Sequence, residues 1–184
     1  MSSQKVRKIV VMGSRSVGKS TLIVQFVENF FCDSYYPTIE NTFRKIIKYK
    51  GIEFECEIFD TAGQDEFTIL SPKYAVGVQG YILAYSVDSR TSFEMTKIVR
   101  DKILSFFGTN WVPLVLVGNK TDLHSQREVS AEEAIELAKS WNCEAIECSA
   151  KTNENIDKIF DQMLLTIEKV SSPPAETRSG CVIF

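Results

Sequence analysis

The sequence predicts a three-layer α/β fold: a mostly parallel six-stranded sheet with one antiparallel strand, flanked by about five helices. Three observations point there. Short apolar runs that read as buried strands recur along the chain, and segments of helical periodicity alternate with them, so successive strands are joined by crossovers. One pair of strand-like runs is separated only by Lys50-Gly51, which makes a hairpin and one antiparallel strand. The length of 184 residues suits one domain with a sizeable core.

Taken in order, "KIVVMG" (8–13) is an apolar run ending at Gly and reads as a strand buried on both faces. From about Gly18, Leu22, Ile23, Phe26, Val27 and Phe30 recur at helical spacing. "FRKIIKYKGIEFECEIFD" (43–60) reads as the hairpin. "GYILAYSV" (80–87) and "PLVLVGNK" (113–120) are further buried strands, and 91–107 between them is long enough for a helical crossover. "SAEE" (130–133) is a capping box, with Ser130 accepting from the amide of Glu133 whose side chain reaches back. The helix after it turns Ala134, Leu137, Ala138 and Trp141 to a core. "EAIECSA" (144–150) is the last strand and its exit. Ile156, Ile159, Phe160, Met163, Leu164 and Ile167 form the apolar stripe of a final helix. The domain is expected to occupy 1–170. A flexible tail, 171–184, follows it, because "SSPPAETRSG" has nothing to bury.

Composition narrows the function. A net charge of −3 argues against a nucleic-acid surface. The five Cys, at 32, 56, 143, 148 and 181, are scattered without a CxxC pair, and His124 is the single His. A disulfide framework or a zinc site is therefore not expected, and a reducing cytosol fits. "MSSQKVRK" has no apolar core of a secretory signal, and Ser2 stands where myristoylation requires Gly. No run reaches the ~18 consecutive apolar residues of a membrane span.

In a parallel α/β sheet, ligands bind beyond the C-terminal ends of the strands, so the loops there carry the chemistry. After the first strand comes Gly13-x-x-x-x-Gly18-Lys19-Ser20, a P-loop between strand and helix. Backbone N–H groups of such a loop, with the helix start, point at phosphate oxygens. Lys19 adds charge at the β/γ-phosphates, and the Ser20 hydroxyl can ligate Mg²⁺. The frame is thus a P-loop NTPase. After the strand at 52–59 comes "DTAGQDEF" (60–67). Asp60 is a direct or second-shell partner of Mg²⁺, Gly63 can bring an N–H to a γ-phosphate, and Gln64 can orient a water. After the strand at 113–118 comes "NKTD", Asn119, Lys120, Thr121 and Asp122. A carboxylate there accepts from the paired N1–H and amine of guanine, and adenine offers no such pair. After the last strand comes "CSAK" (148–151), where the Ala150 amide meets guanine O6 and Lys151 covers the ring, beside Ser149.

The ordered set GxxxxGKS, Pro37-Thr38, DTAGQ, NKxD and SAK resembles the Ras superfamily of small GTPases over residues 6–170. "SRSVGKS" (14–20), "DSYYPTIENTF" (33–43) and "KSWN" (139–142) look most like the Rheb subfamily, Ras homologues that activate the TOR kinase. The resemblance implies a GTP/GDP switch with Mg²⁺ on Ser20 and Thr38. It implies a nucleotide lined by Ser16, Val17, Gly18 and Thr21, by Phe31, Cys32, Asp33 and Tyr35, and by the guanine loops. Hydrolysis would be in-line attack of water on the γ-phosphoryl group, with Gln64, Thr38 and Lys19 as its catalytic residues. Tyr35, Ile39, Glu40 and Asn41 are the implied effector surface. The implied partners are a tuberin-type GTPase-activating protein, which inserts an asparagine, and the TOR kinase complex as effector, with the protein itself a monomer. A nucleotide-bound scaffold of negligible turnover and a P-loop ATPase or nucleoside kinase are the alternatives; "NKTD" opposes the latter.

Two features set this chain's behaviour. Arg15 stands in the part of the P-loop nearest a terminal phosphate. It is a built-in arginine finger, an obstruction that crowds Gln64, or a solvent-facing bystander. Obstruction implies slow intrinsic turnover that waits for a partner. The chain ends in "CVIF", which fits C-a-a-X with Cys181 as the target of a prenyltransferase. Phe at X points to geranylgeranyl, whereas farnesyl is usual in the Rheb pattern. From 171 onward only Arg178 is basic and no second Cys is present. One lipid without a polybasic patch implies reversible attachment to the cytoplasmic face of endomembranes, with a cytosolic pool.

Overall fold

The computed structural model describes residues 5–31 and 40–171. Six strands form one sheet: β1 (Lys5–Met12), β2 (Asn41–Tyr49), β3 (Ile52–Asp60), β4 (Gly80–Ser86), β5 (Leu114–Asn119) and β6 (Glu144–Glu147). Their spatial order is β2-β3-β1-β4-β5-β6. Only β2 runs antiparallel to its neighbour, because the tight turn at Lys50 (φ 48°) and Gly51 (φ 79°) leaves no room for a crossover. The α-helices among the described residues are four: α1 (Lys19–Glu28), α2 (Arg90–Phe107), α3 (Ala131–Ser140) and α4 (Ile156–Ser171). They are one fewer than the count expected from sequence. Between β3 and β4 there is only a 3₁₀ turn at Pro72–Tyr74.

The central strand β1 shows why the sheet needs two covering layers. Its residues alternate faces with period two, yet Ile9, Val10, Val11 and Met12 are all buried. Ile9 and Val11 join Leu22, Ile23, Phe26, Phe160, Met163 and Leu164 in the core under α1 and α4. Val10 and Met12 join Leu83, Tyr85, Phe93, Val99 and Ile103 in the core under α2 and α3. Helix α4 closes onto β4 at Gly80, where a Cβ would lie 2.6 Å from the Met163 side chain. Ser89 caps α2 through the Ser92 amide. The capping box of Ser130 and Glu133 starts α3 as its spacing predicts.

The strand order reverses between β1 and β4: from β1 the chain crosses to the edge strand β2 and returns as β3 beside β1, then builds outward through β4, β5 and β6 on the other side. That reversal opens a crevice beyond the C-terminal ends of the strands. The loop after β1 leaves into that crevice.

Candidate functional site

The loop after β1 is shaped by what glycine permits. At Gly13 (φ 148°) a Cβ would lie 2.0 Å from the Ala84 carbonyl oxygen, so the turn away from β4 tolerates no side chain. Ser16 also takes a left-handed conformation, φ 61°. Gly18 (φ 90°) precedes α1, offers no side-chain cap, and no acidic side chain stands in the first turn. The start of α1 is therefore a helix N-terminus without a side-chain cap, where the helix dipole favours an anion.

Beneath the loop lies a buried ionisable pair. Lys19 is 6% exposed and its ammonium donates to the carbonyls of Gly13 (3.0 Å) and Ser14 (2.9 Å). Burial lowers its pKa to about 8, against the opposing pull of Asp60. Asp60 is 2% exposed, and burial raises its pKa, offset in part by a hydrogen bond from Ser20 and by Lys19. Asp60 Oδ1 has no hydrogen-bond partner among the described residues. A buried carboxylate oxygen of this kind, beside a hydroxyl, fits a hard, oxygen-seeking cation such as Mg²⁺ held directly or through water. No cluster of three or more His, Cys, Asp or Glu able to hold a metal occurs among the described residues. The donor set is thus one of hydroxyl, carboxylate and ligand oxygens, as Mg²⁺ prefers with phosphates.

The loop after β3 is stitched to the phosphate loop. Thr61 Oγ1 donates to the Val11 carbonyl (2.9 Å), and the Gln64 amide donates to the Gly13 carbonyl (2.9 Å). Gly63 packs directly on Arg15: a Cβ there would meet Arg15 Cγ at 2.2 Å, its Cα at 2.6 Å and its backbone N at 2.8 Å. The exposed Arg15 side chain therefore starts across Gly63. Gln64 is only 8% exposed, and its carboxamide donates to the Ala62 carbonyl at 2.8 Å, turned onto its own loop. Beyond it, Lys102 of α2 donates to the carbonyls of Asp65, Glu66 and Thr68.

On the far side of the crevice, Asn119 joins both halves of the site. Its amide donates to the Val17 carbonyl (2.9 Å), and its Oδ1 accepts from the Ala150 amide (3.1 Å). The Ala150 N–H, expected to meet a base oxygen, is thus engaged within the protein here. Lys120 takes a left-handed conformation (φ 67°). Asp122 accepts from Ser149 Oγ at 2.6 Å, and the same Ser149 oxygen accepts from the Thr152 amide at 3.1 Å. The Ser149 hydroxyl thereby orients the Asp122 carboxylate. Lys151 is exposed, and Ser20, Thr21 and Phe31 are half-buried around the crevice. Glu40 and Asn41 are exposed at the start of β2, and the Glu40 carboxylate accepts from Lys73 and Tyr74. Cys32, Asp33, Tyr35, Thr38, Ile39 and Cys181 lie outside the described residues.

A model of the family described as "Ras family" matches residues 8–169. The chain belongs to the Ras family. Relatives named Rheb are among the proteins it matches over its whole length. The chain is 59% identical to the "GTP-binding protein rhb1" of Schizosaccharomyces pombe, with all of both chains covered. It is 52% identical to the "GTP-binding protein Rheb homolog" of Dictyostelium discoideum, again with complete coverage of both. With the "GTP-binding protein Rheb" of Homo sapiens the identity is 46% over the whole of both chains. The chain is thus a Rheb-like member of the Ras superfamily, the small GTPases.

Sequence reasoning missed Thr61, Lys102 and the second role of Asn119. Thr61 sits inside a motif already recognised, and its spacing after Asp60 was the available signal. Lys102 left no signal, since a lysine on an amphipathic helix reads as solvated.

Proposed function

We propose that this chain is a molecular switch that binds GTP or GDP with Mg²⁺ and hydrolyses GTP slowly. The observation that carries this reading is the Asn119 junction. It ties the phosphate loop at Val17 to the base-side loop at Ala150, so one ligand with phosphates at one end and a base at the other spans a single site. In this reading the amides from Ser16 to Thr21 take phosphate oxygens, and Lys19 supplies the charge. Bound Mg²⁺ would offset charge on the phosphates, held by Ser20 and Thr38 with Asp60 behind. Phe31, Cys32, Asp33 and Tyr35 flank the nucleotide, and Lys120, Ser149, Ala150 and Lys151 surround the base. Asp122 accepts from guanine N1–H and its amine, oriented by Ser149.

Hydrolysis needs a water held in line, the task assigned to Gln64. Its carboxamide is turned to Ala62 and Arg15 starts across Gly63, which supports slow intrinsic turnover and obstruction over a built-in finger. A tuberin-type GTPase-activating protein would then complete the site. Loss of the γ-phosphate would free Thr38 and Gly63 and loosen 35–43 and 62–78, with Tyr35, Ile39, Glu40 and Asn41 as the surface an effector such as the TOR kinase complex reads. Prenylation at Cys181 would hold the chain reversibly at endomembranes.

The test is a thermal-shift titration with guanine and adenine nucleotides, followed by a hydrolysis assay. Guanine nucleotides with Mg²⁺ should raise Tm and adenine nucleotides should not. Asp122→Asn, which replaces the double acceptor by an amide, should weaken guanine binding by about 100-fold or more. Equal shifts by both nucleotides would remove the switch reading.

A further inference from the structure

The segment after Gln64 follows β3, yet residues 61–71 contain no helix. One ammonium from α2 gathers its carbonyls: Lys102 Nζ donates to those of Asp65 at 3.0 Å, Glu66 at 2.8 Å and Thr68 at 2.7 Å. In an α-helix, carbonyls point along one axis toward amides four residues on and cannot converge on one point. The arrangement and a helix over 65–71 are therefore mutually exclusive.

The sequence favours the first. Thr68 would need the amide of residue 72, but that residue is Pro72, which has none. In a helix the Thr68 carbonyl would stay unpaired; here Lys102 satisfies it. The turn also closes on itself. Asp65 Oδ1 accepts from the Phe67 amide (3.0 Å) and from Thr68 Oγ1 (2.7 Å), while the Asp65 amide donates to Thr68 Oγ1 (3.1 Å). On the other side of Gln64, its amide is bonded to Gly13 and its carboxamide to Ala62. Gln64 is thus fixed between a backbone bond to the phosphate loop and a turn pinned to α2.

We propose that Lys102 is a positioning residue for GTP hydrolysis: it latches 65–68 against α2, holds the segment out of a helix, and keeps Gln64 withdrawn from the water it would orient. The inference rests on the reading of Gln64 given under Proposed function. Releasing the latch frees the Gln64 backbone on one side and lets its carboxamide leave Ala62. Lys102 therefore slows the intrinsic reaction, without touching nucleotide.

Lys102→Met in the full chain tests this, with Lys102→Gln as a second variant that keeps a polar tip. In the GDP-loaded protein, amide exchange over 64–70 should quicken by roughly tenfold while that of the sheet stays unchanged. Single-turnover GTP hydrolysis should rise by about threefold or more, and adding Gln64→Leu should abolish the gain. Lys97→Met removes another cation of α2, one paired with Glu94, and should move neither readout. Unchanged exchange over 64–70 in both Lys102 variants overturns the latch itself. Faster exchange with unchanged or slower hydrolysis overturns its control of the reaction. A gain that survives Gln64→Leu overturns the reading of Gln64, and with it the route proposed here. An equal gain from Lys97→Met reduces the effect to helix charge.

Discussion

Arg15 leaves the phosphate loop with its Cγ within contact of Gly63, and after the Thr68 hydroxyl and the Phe67 and Thr68 amides its charge adds a last, small pull that lowers the pKa of the Asp65 carboxyl. On the proposed reading, a side chain placed this way would lie on the approach to a γ-phosphate. Arg15→Gly should therefore speed single-turnover GTP hydrolysis by about two- to tenfold. A slower variant would identify Arg15 as a finger instead. Lys19 gives a second prediction. Its folded pKa of about 8 lies below the unfolded 10.5, so the folded state releases its proton first. The penalty of burying the ammonium is full below pH 8 and is relieved as pH rises to 10.5. Nucleotide-free protein should gain up to about 3 kcal/mol relative to Lys19→Met across that window, read from urea unfolding at each pH. Bound phosphates should flatten the difference, because they favour the charged form.

At the scale of elements, the helices hold by apolar stripes. Phe160 of α4 is fully buried and stacks on Phe26 of α1, ring centroids 3.8 Å apart at an interplanar angle of 13°. Phe160→Ala should cost about 3–5 kcal/mol, measured as a shift of the urea midpoint with the slope preserved. These elements were legible in the sequence because their periods are local: the alternation in "KIVVMG", the stripe from Ile156 to Ile167 and the Ser130–Glu133 box each declare themselves within a few turns. The segment 62–78 was not legible in the same way. Its conformation depends on Lys102 from a distant helix and on the Gln64 amide's bond to Gly13, neither of which a local pattern encodes.

For the whole molecule, position follows from topology. Reversal of strand order between β1 and β4 brings the loops after β1, β3, β5 and β6 to one crevice, and residues far apart in the chain meet there. No helix among the described residues is long and apolar enough to cross a membrane. Attachment to a membrane is proposed through Cys181. Cys181→Ser should move the protein from the membrane to the soluble fraction on cell fractionation; unchanged membrane binding would sink the lipid anchor.

The sequence by itself determined the order of strands and helices, the phosphate loop, the acidic and amide side chains at the strand ends, and hence the family. Those follow from residue type and short spacing, where glycine geometry and hydrophobic period act locally. Only the tertiary structure decided the state of the machinery: that Asn119 welds the two halves of the site, that Asp60 buries a partnerless oxygen next to Ser20, that Arg15 starts across Gly63, and that Gln64 is turned away. The Asn119 bonds and the Arg15–Gly63 contact join segments that the chain does not place side by side, and Gln64, though turned onto its own loop, is held there by its amide's bond to Gly13, so these energies depend on how the layers pack.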